Sequence, residues 1–341
     1  RDSGAAGFYR GRVADLIVAE MARGEGLITL EDLSRYAAIW REPVRISYRG
    51  HTIYSVPPAS SGGVTMGEIL NVMEGYAPLP SFGSPALLHR EAEAMRRAFT
   101  DRNTYLGDPA FVSNPVDRLL SKKYAAELRS TIGERATPTP AFVPASRGGT
   151  STTHYSVVDA EGTAVSCTTT LNDSYGSAVT VTGAGFLLND EMDDFTTAPG
   201  KPNMYGLVQG EANVIAPGKR MLSAMAPSIV VDSSNSLFMV LGTPGGPRII
   251  TMVYHVISNV IDHDMTLADA VDAPRLHHQG LPDTVRVEAA GFPEATLDSL
   301  RARGHRVSSG GRWGDIEAII RTKTGWQGVS DGRRGGGGSG Y

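Results

Sequence analysis

The stretch 136–151, ATPTPAFVPASRGGTS, divides this chain more firmly than any other feature. It holds three prolines and two glycines and shows no apolar period, so it reads as an exposed linker. It runs directly into Thr152-Thr153-His154-Tyr155-Ser156-Val157-Val158-Asp159, a turn at Ala160-Glu161-Gly162, and Thr163 to Leu171, a β-hairpin by pattern. A linker that ends on the first residue of a strand suits one kind of chemistry. A threonine whose preceding bond has been cut carries nucleophile and base together: its hydroxyl attacks and its α-amine accepts the proton. That amine has a reference pKa of about 7.7–8.0, suited to the task. Spacing alone is weak evidence for that chemistry, since two threonines at a strand start usually reflect β-propensity.

The surrounding pattern mixes helices and strands. Residues 9–23 carry Val13, Leu16, Ile17 and Met21 on one side, stopped by Gly24 and Gly26; Thr29 with Asp32 three residues on opens another helix. Val44 to Val56 alternates as strands about a turn at Arg49-Gly50. The tight loop 57–63 feeds a helix with Ile69, Leu70 and Met73, and Ser84-Pro85 starts the longest helix, through Leu88, Met95 and Phe99. Beyond the hairpin, strands are predicted at 228–232, 237–242 and 284–289, and helices at 247–262 and 293–303. There is no internal repeat, and Gly335 to Gly340 reads as a flexible tail before Tyr341.

The totals exclude several partners. A chain of 341 residues that is 41% hydrophobic has material for a large core. Its net charge of −4 argues against a nucleic-acid partner, which needs clustered Lys and Arg. No run approaches the roughly 18 apolar residues of a membrane helix. Cys167 is the single cysteine, so no intramolecular disulfide forms, and its alternation on the strand predicts a small core residue. Arg1-Asp2-Ser3-Gly4 has neither an initiator methionine nor an apolar leader, and is expected to be a cut inside a longer protein.

The phrase 152–159 resembles the start of the small subunit of γ-glutamyltransferases. The likeness continues in order through Thr168-Thr169-Thr170-Leu171-Asn172, the segment Leu187 to Phe195, and Pro202 to Leu207. It goes on through Leu222-Ser223-Ala224-Met225-Ala226-Pro227 and Gly242-Thr243-Pro244-Gly245-Gly246-Pro247-Arg248. Upstream, Tyr54 to Gly63 and Tyr105-Leu106-Gly107-Asp108-Pro109 resemble the second half of the large subunit, and the glycine-rich ending with Tyr341 fits as well.

The resemblance implies an N-terminal-nucleophile hydrolase: an αββα sandwich of two stacked, mostly antiparallel sheets covered by helices. Residues 1–151 would be the C-terminal part of the large subunit and 152–341 the small, catalytic subunit. Self-cleavage at Ser151–Thr152 would leave them as a non-covalent pair within one structural domain. Thr152 would attack the γ-glutamyl amide of glutathione and form an acyl-enzyme, released to water or to an amino-acid or peptide acceptor. No metal or organic cofactor is implied. Thr170 would orient the nucleophile, although by pattern alone it reads as a strand threonine. Gly245 and Gly246 would supply oxyanion-hole N–H groups. Asp194, helped by Asn172 and Glu191, would hold the substrate ammonium, Ser223 its α-carboxylate, and Tyr205 a lid over the site; Asp190 and Asp193 read as solvated acids. The pair His277-His278 reads as structural, because neighbours point in different directions.

Two departures matter. Ala224 stands where the family usually has a second serine, and a lost hydrogen bond to a charged group costs on the order of 1.5–3 kcal/mol. The family's N-terminal half, with an arginine that clamps the α-carboxylate, has no counterpart before Arg1, so the chain by itself is expected to be a poor catalyst. Two other readings stay open: a glutaryl or cephalosporin-type acylase on the same fold, and a non-catalytic fragment. A periplasmic or secreted location follows only by family analogy.

Overall fold

The computed structural model describes residues 2–139 and 152–340. The linker beyond Thr139, the Ser151–Thr152 bond and Tyr341 lie outside those residues. The strands are β1 (Val44–Tyr48), β2 (His51–Ser55), β3 (Thr152–Val158), β4 (Ala164–Thr170), β5 (Ser228–Val231), β6 (Leu237–Gly242), β7 (Leu276–His277), β8 (Val285–Val287), β9 (Val307–Ser309), β10 (Glu317–Thr322) and β11 (Gly325–Ser330).

β1 alternates buried Val44, Ile46 and Tyr48 with exposed Arg45 and Ser47, the pattern of a strand with one covered face. Arg49 and Gly50 both take positive φ, 45° and 81°, which matches a two-residue turn to the strand twist. β2 then pairs with β5, and the sheet runs β1-β2-β5-β6-β10-β11, antiparallel throughout. Strands on both sides of the 140–151 segment therefore share one sheet.

One face of this sheet is covered by helices. The Gly62–Glu74 helix is buried from Gly62 to Met73, because the sheet lies on one side and the Pro85–Tyr105 and Arg248–Asp262 helices lie on the others. A side chain at Gly67 would meet Leu120 at 2.6 Å and Ile46 at 2.8 Å, so glycine sets how closely this helix approaches. Ser84 caps the Pro85–Tyr105 helix by accepting from the Leu87 N–H at 3.2 Å, with Pro85 opening its first turn. A smaller cluster, Ala14, Ile17, Leu33 and Val181, docks the N-terminal helices on the loop that carries Phe186 and Leu188.

The other face carries the β3–β4 hairpin, so the two stacked antiparallel sheets of the expected class are present. Its inward residues bond to the strands below. Ser166 Oγ donates to the Leu241 carbonyl at 2.9 Å and accepts from the Ser228 N–H at 3.0 Å. Ser156 Oγ donates to the Glu317 carbonyl at 2.9 Å. The His154 ring lies over Gly242, in the space that a β-carbon there would need. Neutral His154 fits this place, since burial pulls its pKa down to about 4. The outward residues Tyr155, Val157 and Val165 are about half exposed. Cys167, opposite Tyr155, shares that outer face and is only partly buried, which corrects its assignment to the core.

β10 and β11 were not foreseen. Glu317-Ala318-Ile319-Ile320-Arg321-Thr322 lacks a clean alternation, and its strand character comes from pairing with β6, residue 317 against 242 through 320 against 239. No helix among the described residues is long and apolar enough to cross a membrane.

The close seat of His154 makes Gly242 a sensitive position. Gly242→Val should lower stability by about 1–3 kcal/mol, the range for overpacking a filled interior. Denaturant titration reads this directly, and an unchanged midpoint would mean that the hairpin is not seated there.

Candidate active site

The hairpin register places Thr152, the first residue of β3, opposite Thr170, the last residue of β4. The Thr152 hydroxyl donates to Thr170 Oγ1 at 3.1 Å, and Thr170 Oγ1 also accepts from the Asn172 N–H at 2.8 Å. Both threonines open onto a cavity of about 330 Å³, counting the solvent at its mouth. Its wall also includes Asn172, Asp194, Tyr205, Ser223, Ala224 and Gly246. The structure thus gathers seven of the nine sequence-predicted site residues around one opening.

Gly245 and Gly246 take positive φ, 144° and 58°, between the end of β6 and the Arg248–Asp262 helix. A β-carbon at Gly246 would press on the Tyr205 ring at 2.7 Å, so the wall beside Thr152 has to be backbone. Gly245 sits just behind, where a β-carbon would meet Met252 at 2.5 Å. Tyr205 is buried; its hydroxyl donates to Asn172 Oδ1 at 2.8 Å and stays protonated, because burial and then Asp194 push its pKa up. Asn172, at φ 74°, turns the chain back beneath it.

Asp194 ends a short 3₁₀ turn, Glu191–Asp194. Burial pushes its pKa up to about 7; Arg102 pulls it down, while Asp193 and Asp190 push it further up. Glu191 lies behind Asp194 rather than on the cavity wall, and burial, then Asp194 and Asp190, take it up to about 8. Asp190 and Asp193 are braces rather than solvated acids. Asp190 accepts the Asp173 N–H at 2.8 Å and Asp193 the Met204 N–H at 2.9 Å. On the opposite wall Ser223 Oγ accepts the Met225 N–H at 3.1 Å, which leaves its own proton free for a ligand. Ala224 adds only a methyl group there.

Arg102 is the residue that sequence reasoning missed. It lies on the buried stripe of the Pro85–Tyr105 helix with Met95 and Phe99, and its guanidinium reaches the cavity wall. A charge interrupting that apolar stripe was the available signal. The adjacent histidines do point apart: His277 meets Thr251 Oγ1 at 3.0 Å and Gln279 Oε1 at 2.9 Å, while His278 meets Asp283 Oδ1 at 3.3 Å. No group of three metal-ligating side chains occurs among the described residues.

Such a site places the Thr152 hydroxyl between a backbone-lined wall and paired polar corners, one acidic and one hydroxylic. The family model described as Gamma-glutamyltranspeptidase matches residues 1–341, and the chain belongs to that family. It is 48% identical over 322 residues to the glutathione hydrolase proenzyme of Pseudomonas sp. (strain A14), covering 93% of this chain and 56% of that protein. It is 41% identical over 303 residues to the Acylase ACY 1 proenzyme of Pseudomonas sp. (strain V22), covering 88% and 51%. The crystal structure of cephalosporin acylase from Bacillus halodurans superposes with a TM-score of 0.82 at 30% identity, over 97% of this chain and 59% of that one. The fold is thus that of the N-terminal-nucleophile hydrolases. The chain spans about half the length of the curated relatives it matches.

The acids have a consequence for stability. Asp194 and Glu191 keep a proton in the folded state after the unfolded chain has released it, so their effect is least adverse in acid. Stability then falls as pH rises from about 4 through about 7–8. Asp194→Asn should therefore stabilise the fold more at pH 8 than at pH 5, by on the order of 2 kcal/mol. Equal effects at the two pH values, by denaturant titration, would contradict the raised pKa.

Proposed function

We propose that this member of the γ-glutamyltranspeptidase family carries the nucleophile of an enzyme that transfers the γ-glutamyl group of glutathione and related amides. The observation that carries this reading is the Thr152–Thr170 hydroxyl pair at the cavity wall. Cutting Ser151–Thr152 frees the α-amine of Thr152 beside its own hydroxyl. The amine takes the hydroxyl proton as Oγ1 attacks the γ-carbonyl, while Thr170 holds the attacking oxygen in line. The Gly245 and Gly246 amides stabilise the oxyanion. The proton then passes to the departing amine, which leaves an ester on Thr152. Water resolves the ester by hydrolysis, and an amino acid or peptide by transfer.

The substrate head group lies across the cavity. Asp194 holds its ammonium, with Glu191 behind and Asn172 beside it, and Ser223 donates to its carboxylate. Tyr205, locked to Asn172, closes over the site. An exported location, periplasmic or secreted, goes with this reading.

Maturation gives two segments, 1–151 and 152–341, that remain one body. β2 belongs to the first and β5 to the second, yet they pair from Thr52–Val231 to Ser55–Ser228. The Gly62–Glu74 helix likewise packs on the Arg248–Asp262 helix. A cut between the segments leaves these contacts intact.

Ala224 favours a second reading, a glutaryl-type acylase, because a side chain lacking the amino-acid head needs fewer donors at this corner. Rates on γ-glutamyl- and glutaryl-p-nitroanilide separate the two, and a faster glutaryl substrate would favour the acylase. If the γ-glutamyl reading holds, Ala224→Ser should lower KM for γ-glutamyl-p-nitroanilide by about tenfold, the effect of one good hydrogen bond to a charged group. Intact mass under denaturing conditions should give two fragments meeting at Ser151–Thr152 that co-elute when native. Thr152→Ala should stay whole and inactive; a cut Thr152→Ala protein would remove Thr152 from the mechanism.

A further inference from the structure

Arg102 is 2% exposed, and a buried cation is costly unless it is compensated. Its close partners are all neutral. Nε donates to Ser61 Oγ at 2.9 Å, and Nη1 donates to Asn103 Oδ1 at 2.8 Å and Gln209 Oε1 at 3.1 Å. Nη2 points to the Leu222 carbonyl at 3.4 Å. The carboxylate whose field acts on it is Asp194, on the same cavity wall.

These contacts reach both corners of the site. Ser61 bonds the Ser223 carbonyl twice, through its N–H at 2.8 Å and its hydroxyl at 2.7 Å. Gln209 donates to the Asp194 carbonyl at 2.9 Å, and Asn213 donates to the same carbonyl at 2.7 Å. One guanidinium therefore sets the distance between the serine corner and the aspartate corner.

We propose that Arg102 is a positioning residue for the γ-glutamyl head group: it fixes the spacing of Ser223 and Asp194 and is the buried counter-charge that opposes the acids crowded around Asp194. This rests on the reading of Asp194 as the ammonium partner. The groups around Asp194 are Asp190, Glu191 and Asp193 on its own segment, Tyr205 on the lid and Arg102 on the long helix. Of these only Arg102 is positive. Without it the acids around Asp194 stand unopposed, Asp194 holds its proton well past neutrality, and a protonated carboxyl holds an ammonium poorly. The side chain remains cationic itself, since burial lowers its pKa only to about 10.

The test uses the full-length, matured protein labelled with ¹³C-carboxyl aspartate, with Asp194→Asn assigning the resonance. In Arg102→Met the Asp194 midpoint should rise by about one unit or more, the effect of removing a neighbouring opposite charge. In Arg102→Lys it should stay close to the parent value. KM for γ-glutamyl-p-nitroanilide at pH 7 should rise about tenfold in Arg102→Met and recover toward pH 9. The glutaryl anilide, which has no ammonium, should show no such recovery. An unmoved Asp194 midpoint in Arg102→Met overturns the proposal, whatever happens to the rate. A parent enzyme that does not prefer γ-glutamyl over glutaryl would instead overturn the head-group reading, and the midpoint would still decide the role of Arg102.

Discussion

The site depends on a pairing register held from one side. Thr152 meets Thr170 because the hairpin aligns residue 152 with 170, and the hairpin lies where it does because Ser156, Ser166 and His154 engage the sheet beneath. A slip of one residue would turn Thr152 and His154 outward and bring Thr153 and Tyr155 against the sheet. Polar anchors suit this layer better than apolar ones: hydroxyls bonded to strand carbonyls admit one register, whereas methyl groups tolerate several. Burial keeps His154 neutral, so this contact brings no charge between the sheets.

A second constraint is the management of charge. The 187–195 segment crowds four acids, Asp190, Glu191, Asp193 and Asp194, beside a largely buried cavity, and two of them carry strongly raised pKa values. Local backbone donors neutralise part of this load by bonding Asp190 and Asp193. Asp194 is opposed by the buried Arg102. A site built this way is adverse to stability, and a cationic group bound there would supply the counter-charge that the acids lack.

Much of this was legible in the residues themselves. The helix starts at Thr29 and Ser84 and the turn at Arg49-Gly50 carry local signals, and so does the hairpin after the linker. They appear within a residue or two of their expected places. Thr152, Thr170 and Gly246 were found from ordered motifs, and they do share a wall. What escaped depends on long-range pairing: β10 is a strand because β6 lies beside it, and Asp190 and Asp193 became braces through loops that only the folded chain brings close. Cys167 was placed on the wrong face because alternation gives the period of a strand but not which side is covered. Arg102 escaped for a related reason. Its position on the stripe marked it, but its partners lie at residues 61, 209 and 222, far away in the chain.

The hairpin is anchored through its face, while among the described residues the outer edges of β3 and β4 pair with no further strand. Positioning and sheet growth therefore use different atoms: side-chain hydroxyls for the first, backbone amides and carbonyls for the second. Additional strands could join either edge without disturbing the alignment of the two threonines.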